Sequence, residues 1–232
     1  MERRIRLIGE HLTHEILWGT AKRFLATGVE QPRGSFYSLL AAVVFGCFAF
    51  EAYLNAALEE VAPGAWKDER NFFVQARYRG TLGKFEYLAE LCGHTVDKSR
   101  RPFQTVRKLS EVRNFLAHAP VEHFDVKVPV KKLEELQPHP SVLHVYACPK
   151  FAAKALADVE ALLDGLQVAL VARFDDIRIG STVGAFSAIE GLWAASLVEE
   201  EQPRMSNKAM RSASHSGYKA KSQKGSRAAR RT

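Results

Sequence analysis

Residues 35–61 are the most apolar stretch of the chain, and they restrict its fold more than any other feature. Ser35 follows the turn residues Pro32 and Gly34 and opens a segment with helical spacing that is apolar on almost every side. Its apolar members are Phe36, Leu39, Leu40, Val43, Val44, Phe45, Phe48, Phe50, Tyr53, Leu54 and Leu58. A helix of this kind has to be buried. We therefore predict a mainly α-helical protein, an up-and-down bundle of four to five helices around this central helix.

The composition indicates a soluble protein of the cell interior. The longest uninterrupted apolar run, residues 39–50, has 12 residues and ends at Glu51, whereas a membrane span needs about 20. The basic N-terminus is not followed by the apolar segment of a secretory signal. We expect a cytoplasmic location and no contact with membranes. The three cysteines lack the paired spacing of a disulfide framework or a zinc site: Cys47, Cys92 and Cys148.

Two polar residues interrupt the central helix. Glu51 and Asn55 lie one turn apart and therefore on the same face. Burial of a carboxylate without a partner destabilises the fold by roughly several kcal/mol. A buried Glu51 therefore requires a hydrogen-bond donor from another segment. We expect that donor to be Arg113. The alternative is that Glu51 and Asn55 reach the surface near the end of the helix.

The second informative stretch is residues 110–120, where an arginine, an amide and a histidine fall within six residues: Arg113, Asn114 and His118. Apolar residues recur there at spacings of three and four, which predicts a helix, and Pro120 ends it. His118 therefore belongs to the last turn. On a regular helix Asn114 and His118 share a face, but Arg113 and His118 point roughly 140° apart. They converge only if the helix end unwinds or the long arginine side chain wraps around it.

Periodicity predicts the remaining elements. Helices are expected at residues 3–26, where Gly28 ends the helix, at 81–91, from Pro102 to the end of the motif, and from Pro149 to about residue 174. Apolar and polar residues alternate at 121–130 and 141–146, which predicts a small β-hairpin or extended insert within residues 121–148. A helical turn is expected at 131–136, and the apolar piece 183–197 is expected to pack on the body or on a second subunit.

Three patterns that suggest bound ligands are weak in this chain. His11 and His14 are three residues apart but lack a third metal ligand, so we expect them to be solvated or partly packed. Residues 80–84 resemble a phosphate-binding loop only in composition, since the required spacing is absent. The chain also contains no Cys-His or Ser-His-Asp arrangement. The sequence thus predicts neither a metal site nor a cofactor.

The positive net charge of +7 comes from the C-terminus. Residues 202–232 contain nine Lys or Arg and no acid, whereas residues 1–201 contain 24 basic and 26 acidic residues. We predict a helical domain at 1–200 and a basic, disordered tail at 201–232. Within the domain a basic cluster near the motif is suited to phosphate, although solvated helix faces often carry such clusters: Lys98, Arg100, Arg101, Arg107 and Lys108.

The letters Arg113-Asn114, three residues and His118 resemble the R-x4-6-H motif of the HEPN superfamily, and residues 48–55 resemble a helix that faces this motif in several HEPN families. The resemblance implies a helical domain, a symmetric homodimer with a composite active site and metal-independent RNA cleavage of toxin or phage-defence type. It implies catalytic roles for Arg113, His118 and Asn114, supported by Glu51 and Asn55. An antitoxin or a defence partner is a further implied partner. Pro120 replaces the tyrosine that one toxin subgroup has two residues after the histidine.

The chemistry of the motif residues agrees with that activity. Histidine exchanges protons near neutral pH, and arginine offers a planar donor fork that matches phosphate oxygens. The expected product is a 2′,3′-cyclic phosphate. Counterion release by the basic tail would raise the affinity for RNA. Two alternatives remain: a non-catalytic HEPN-like helical dimer that binds nucleotide, RNA or a partner protein, and a plain interaction scaffold whose tail contacts ribosomes or anionic surfaces. Without catalysis, the motif would consist of an arginine that pairs with Glu51 and a histidine that caps a helix.

Overall fold

The protein is mainly helical, as the sequence predicts. The computed structural model describes residues 5–9, 11–118, 121–125, 127, 129, 140–174, 177, 179, 185–186 and 193–197. Its α-helices are α1 (Thr13–Glu30), α2 (Ser35–Val61), α3 (Pro63–Lys67), α4 (Glu69–Phe72), α5 (Gly80–Leu91), α6 (Phe103–His118) and α7 (Pro149–Arg173). Short 3-10 helices span Ala76–Tyr78 and Val142–Val145, and two strands, β1 (Ile5–Gly9) and β2 (Trp193–Leu197), complete the described elements.

Helix α2 occupies the centre of the bundle. Helices α1, α3, α5, α6 and α7 all pack against it, and its residues Phe50, Tyr53 and Leu54 are almost completely buried. Among the described residues it is the one helix long and apolar enough to cross a membrane, and half of its most apolar window is buried within the protein. Helices α1, α3, α5, α6 and α7 cover part of this apolar surface, as neighbouring helices do for the central helix of a bundle.

Proline residues mark helix ends as expected. Pro149 begins α7 in the first turn, where its missing N–H needs no partner. Helix α6 ends at His118, two residues before Pro120. The predicted bounds of α2, α5, α6 and α7 are therefore confirmed to within one or two residues. Local signals suffice at these ends because they act through the backbone itself.

The predicted helix at residues 3–26 is wrong at both ends. Residues 5–9 form β1, which pairs with β2, and a pairing between such distant segments leaves no trace in local periodicity. Helix α1 begins only at Thr13 and continues past Gly28 to Glu30. Gly28 is buried in the contact with α2, where a Cβ atom would lie 2.6 Å from Cγ of Leu39. It therefore permits close packing of two helices and does not end one.

The insert also differs from its prediction. Val142–Val145 is a 3-10 helix and not a strand, because the Ser141 hydroxyl accepts a hydrogen bond from the backbone N–H of Leu143 and closes a turn. Residues 121–125 have no regular secondary structure. The expected helical turn at 131–136 and the basic tail at 201–232 lie outside the described residues. So does most of the apolar piece 183–197, of which Trp193–Leu197 is β2.

Contacts divide the chain into two compact units, residues 9–193 and residues 1–8 with 194–232. The seven α-helices of the described residues and the predicted motif belong to the first unit. In the second, the described residues belong to the paired strands β1 and β2. The predicted domain at 1–200 thus has its helical part between residues 9 and 193.

His14 is buried, contrary to the expectation of a solvated or partly packed side chain. It is 1% exposed, and its ring meets that of Tyr53 edge-on with 5.5 Å between centroids. Burial lowers the pKa of His14, against the opposing effect of a backbone hydrogen bond at Ile179. His14, Trp18 and Ala21 all lie on the inward face of α1. His11 is exposed, and no group of three metal-binding side chains occurs among the described residues.

An ion pair joins the start of α6 to α7. Both oxygens of Asp158 accept hydrogen bonds from the guanidinium of Arg101, each at 2.8 Å. Asp158 is 6% exposed. Burial acts to raise the pKa of its carboxyl, but hydrogen bonds from Arg101 and Thr105 outweigh burial and hold the pKa below its usual range. The carboxylate therefore stabilises the fold in its charged form.

Replacing this charge tests the pair. Asp158→Asn should lower the free energy of unfolding by roughly 1–3 kcal/mol at pH 7, because charged hydrogen bonds are lost from a buried position. A carboxyl with a lowered folded-state pKa stabilises above its unfolded pKa of about 3.9, and this contribution disappears as the pH falls through the folded value. Urea denaturation from pH 7 towards pH 3 should show the deficit shrinking. The exposed Asp125→Asn is the matched control, and a deficit independent of pH would contradict the assignment.

Candidate functional site

The predicted pairing of the motif arginine with the central helix is present. Nη2 of Arg113 lies 3.8 Å from Oε2 of Glu51, with 40% and 27% of the two side chains exposed. At this distance and exposure the pair contributes on the order of 0–1 kcal/mol to stability. The pair places the guanidinium of Arg113, on α6, beside Glu51, on α2.

The same guanidinium also contacts the next residue of α6, Asn114. Nη1 of Arg113 donates a hydrogen bond of 3.1 Å to Oδ1 of Asn114. Glu51 and Asn114 thus lie against two nitrogens of the guanidinium, and Arg113, Glu51 and Asn114 all line the same cavity. The structure brings these three predicted site residues together.

Asn55 faces a different cation. Its Oδ1 accepts a hydrogen bond of 2.7 Å from Nζ of Lys84 on α5, and Lys84 also donates to the carboxylate of Glu69 on α4. Lys84 is 4% exposed, and the rings of Trp66 and Phe73 lie 6.0 and 5.9 Å from its ammonium group. The aromatic faces add to the stabilisation of the buried charge. Asn55 was expected to support the motif arginine, but its side chain contacts Lys84 instead.

These groups surround a cavity of about 660 Å³ between α2, α4, α5 and α6. This volume is within the range of about 300–1,000 Å³ typical of ligand sites. Five cations and three carboxylates line it: Arg70, Arg79, Lys84, Arg107, Arg113, Glu51, Glu69 and Glu111. The cavity is thus positively charged, although residues 1–201 as a whole are slightly acidic.

His118 is not among the side chains that line this cavity. It is the last residue of α6 and is exposed, and α6 is helical over its whole length between Arg113 and His118. The regular helix keeps the two residues on different faces, as their spacing predicts. Within one chain the cavity therefore contains the arginine of the motif without its histidine.

The five cations of the basic cluster predicted to bind RNA form ion pairs with four carboxylates. Each member has an acidic partner: Lys98 with Glu86 at 2.6 Å, Arg100 with Asp97 at 2.7 Å, Arg101 with Asp158 at 2.8 Å, Arg107 with Glu111 at 3.8 Å and Lys108 with Glu111 at 3.4 Å. Of the five, Arg107 alone lines the cavity, while Lys98 lines a separate cavity of about 530 Å³. The structure thus disperses most of this cluster away from the motif.

Cys47 also lines the cavity but is not suited to nucleophilic chemistry. Burial, reinforced by the negative charge of Glu51, raises the pKa of this thiol to about 12, against the opposing charge of Arg113. The reactive form of cysteine is the thiolate, which is negligible at neutral pH when the pKa is this high. The polar chemistry of the cavity thus rests on its charged groups and on Thr81, Ser110 and Asn114.

Sequence reasoning missed Lys84, Glu69 and the two arginines Arg70 and Arg79. A signal for Lys84 is present: it precedes Leu88 by four residues and Leu91 by seven, which places it on the inward face of α5. An inward lysine demands an acidic partner. The two arginines carry no such signal, because residues 65–79 lack a clear period.

No family model, no curated protein and no solved structure matches this chain.

Gly83 sets the position of the cavity wall. A Cβ atom at this residue would lie 2.0 Å from the carbonyl group of Tyr78, so the segment before α5 approaches the helix more closely than any other residue type permits. Gly83→Ala should displace this segment and cost roughly 1–3 kcal/mol of unfolding free energy.

The matched control is Gly19→Ala, in the interior of α1, where nothing lies within 4 Å of the added atom. Alanine is favoured over glycine in helices by about 0.5–1 kcal/mol, so this variant should be neutral or stabilised. Chemical denaturation of both variants checks the difference. Equal stability of the two would show that the close approach at Gly83 does not exist.

Proposed function

We propose that the chain is a metal-independent endoribonuclease of toxin or phage-defence type. The observation that supports this is the guanidinium of Arg113, held by Glu51 and Asn114 on the wall of a positively charged cavity. In the proposed reaction a 2′-hydroxyl of RNA attacks the adjacent phosphorus, and the bond to the 5′-oxygen of the next nucleotide breaks. The products are a 2′,3′-cyclic phosphate and a 5′-hydroxyl. RNA in the cytoplasm is the proposed substrate.

Arg113 is assigned the stabilisation of the negative charge that builds on the phosphate oxygens. A preorganised cation at this point lowers the barrier because it needs no reorientation during the reaction. Asn114 keeps the guanidinium in place. Asn55 supports the cavity indirectly, through Lys84.

His118 is assigned the proton transfer. In the proposed homodimer, the second subunit supplies this histidine. Because His118 is exposed and outside the cavity of its own chain, the reaction requires the histidine of a second subunit to reach the arginine. A symmetric dimer forms two such composite pairs. This arrangement agrees with the resemblance of the motif to the HEPN superfamily, in which paired subunits share a cleft.

A second candidate function follows from the same position of His118. A non-catalytic HEPN-like helical dimer would retain the positive cavity as a binding site for nucleotide, RNA or a partner protein. Its arginine and histidine would then not need to meet. An antitoxin or defence partner fits either function.

The ribonuclease is tested by incubating the full chain with structured RNA in EDTA. Arg113→Ala and His118→Ala should each lower the cleavage rate by about 100-fold or more, the usual loss when a charge-stabilising or proton-transferring group is removed. Arg23→Ala and His11→Ala are matched controls, since both residues are exposed on or beside α1. Absence of cleavage by any variant, wild type included, would reject the enzyme and leave the binding module.

Co-expression of the two inactive variants tests the composite site. In a mixed dimer, the Arg113 of one chain and the His118 of the other remain intact. A statistical mixture should therefore recover about a quarter of wild-type activity if each pair spans two subunits. No recovery, despite a mixed dimer shown by differential tags, would place each pair within one subunit and contradict the arrangement.

A further inference from the structure

Three of the five cations in the cavity have one of its three carboxylates within ion-pair distance. Lys84 pairs with Glu69, Arg113 with Glu51 and Arg107 with Glu111. In the part of the chain that the structure describes, no carboxylate lies within ion-pair distance of Arg70 or Arg79. The excess positive charge of the cavity is therefore located on these two arginines.

The neighbouring Arg77, unlike Arg79, has an acidic partner. Arg77 is two residues from Arg79 and pairs with Glu90 at 2.6 Å, beside the hydroxyl of Tyr78, which donates to the same carboxylate. It lines the separate cavity of about 530 Å³. Within one short segment, one arginine is neutralised and directed away from the main cavity, whereas the next is unpaired and lines it.

The backbone holds Arg79 at this position. The N–H of Gly80 donates a hydrogen bond of 3.1 Å to the carbonyl of Phe73 and closes the loop between α4 and α5. The contact of Gly83 with Tyr78 fixes the same loop against α5. Arg79 is therefore presented on a constrained turn, at the end of the cavity formed by residues 70–84.

An apolar side chain lies beside the two arginines. Val74 is 69% exposed, and together with Phe73 and Leu82 it lines the same cavity. Unpaired cations next to exposed apolar surface fit a ligand that has both an anionic and an apolar part. A nucleotide has this character, because its phosphate requires charge and its base favours apolar contact.

We propose that Arg70 and Arg79 bind a phosphate of single-stranded RNA adjacent to the phosphate at Arg113, with Val74 contacting a base. This inference rests on the proposed function, since it assigns the substrate-positioning part of the same cavity. Arg70 and Arg79 are positioning residues: they bind the strand and take no part in bond cleavage. Arginine suits this task because its donor fork matches phosphate oxygens.

The test is binding of a fluorescent, non-cleavable 2′-O-methyl oligonucleotide to the full chain in EDTA, measured by polarisation across a series of salt concentrations. Each phosphate contact to a single strand contributes roughly 0.7 to the slope of log affinity against log salt. Arg70→Gln and Arg79→Gln should each flatten the slope by about 0.7. Arg77→Gln should leave it unchanged. The basic tail is the same in all variants and does not affect the comparison.

Competition identifies the source of the phosphate. An unlabelled oligonucleotide should displace the probe at far lower concentration than a nucleoside monophosphate or inorganic phosphate. Equal displacement by inorganic phosphate would assign a free anion as the ligand and overturn the RNA site. So would a slope that is the same in Arg79→Gln and Arg77→Gln, or the absence of any binding by wild type.

The cleavage and binding results are separable because the probe cannot be cleaved. Binding that depends on Arg79, without any cleavage of ordinary RNA, would retain this site and reject the ribonuclease. Cleavage by wild type with binding insensitive to Arg70 and Arg79 would retain the ribonuclease and reject this site. Because both arginines are exposed, circular dichroism should show all three variants folded. The charge reversal Arg79→Glu should weaken binding more than Arg79→Gln.

Discussion

The burial of α2 governs the rest of the structure. Its apolar side chains point in nearly every direction, so the chain has to surround it with other helices. Two polar residues, Glu51 and Asn55, interrupt that surface and need partners where they are only partly exposed. Each is satisfied by a cation from another helix, Arg113 of α6 and Lys84 of α5. Glu51, Arg113 and Lys84 all line the cavity between α2, α4, α5 and α6.

Charge balance then determines what the cavity offers to a ligand. Lys84, Arg107 and Arg113 each lie within ion-pair distance of a carboxylate on its wall, whereas Arg70 and Arg79 do not. In the proposed function this division separates two tasks. Arg113, in contact with Glu51 and Asn114, acts at the reacting phosphate, whereas Arg70 and Arg79 hold the strand. The regular end of α6 keeps His118 away from its own cavity, and for that reason the proposal requires a second subunit.

Prolines and apolar periodicity placed α2, α6 and α7, because these determinants are local. One non-local contact, between Glu51 and Arg113, was also predicted, because a carboxylate within an apolar helix calls for a cation from another segment. Other non-local determinants were missed. The pairing of β1 with β2, the packing role of Gly28 and the side-chain turn at Ser141 depend on contacts that no periodicity records. The same holds for Arg70 and Arg79, whose importance appears only when every carboxylate of the cavity has been assigned.

The chemistry of the product ends tests the central proposal most directly. The full chain is incubated in EDTA with an RNA and with its fully 2′-O-methylated counterpart, and the ends are identified by mass spectrometry. Attack by the 2′-hydroxyl predicts 2′,3′-cyclic phosphate and 5′-hydroxyl ends from the RNA and no cleavage of the methylated strand. Ends with 3′-hydroxyl and 5′-phosphate groups, or cleavage of the methylated strand, would show that water is the nucleophile and would contradict the account.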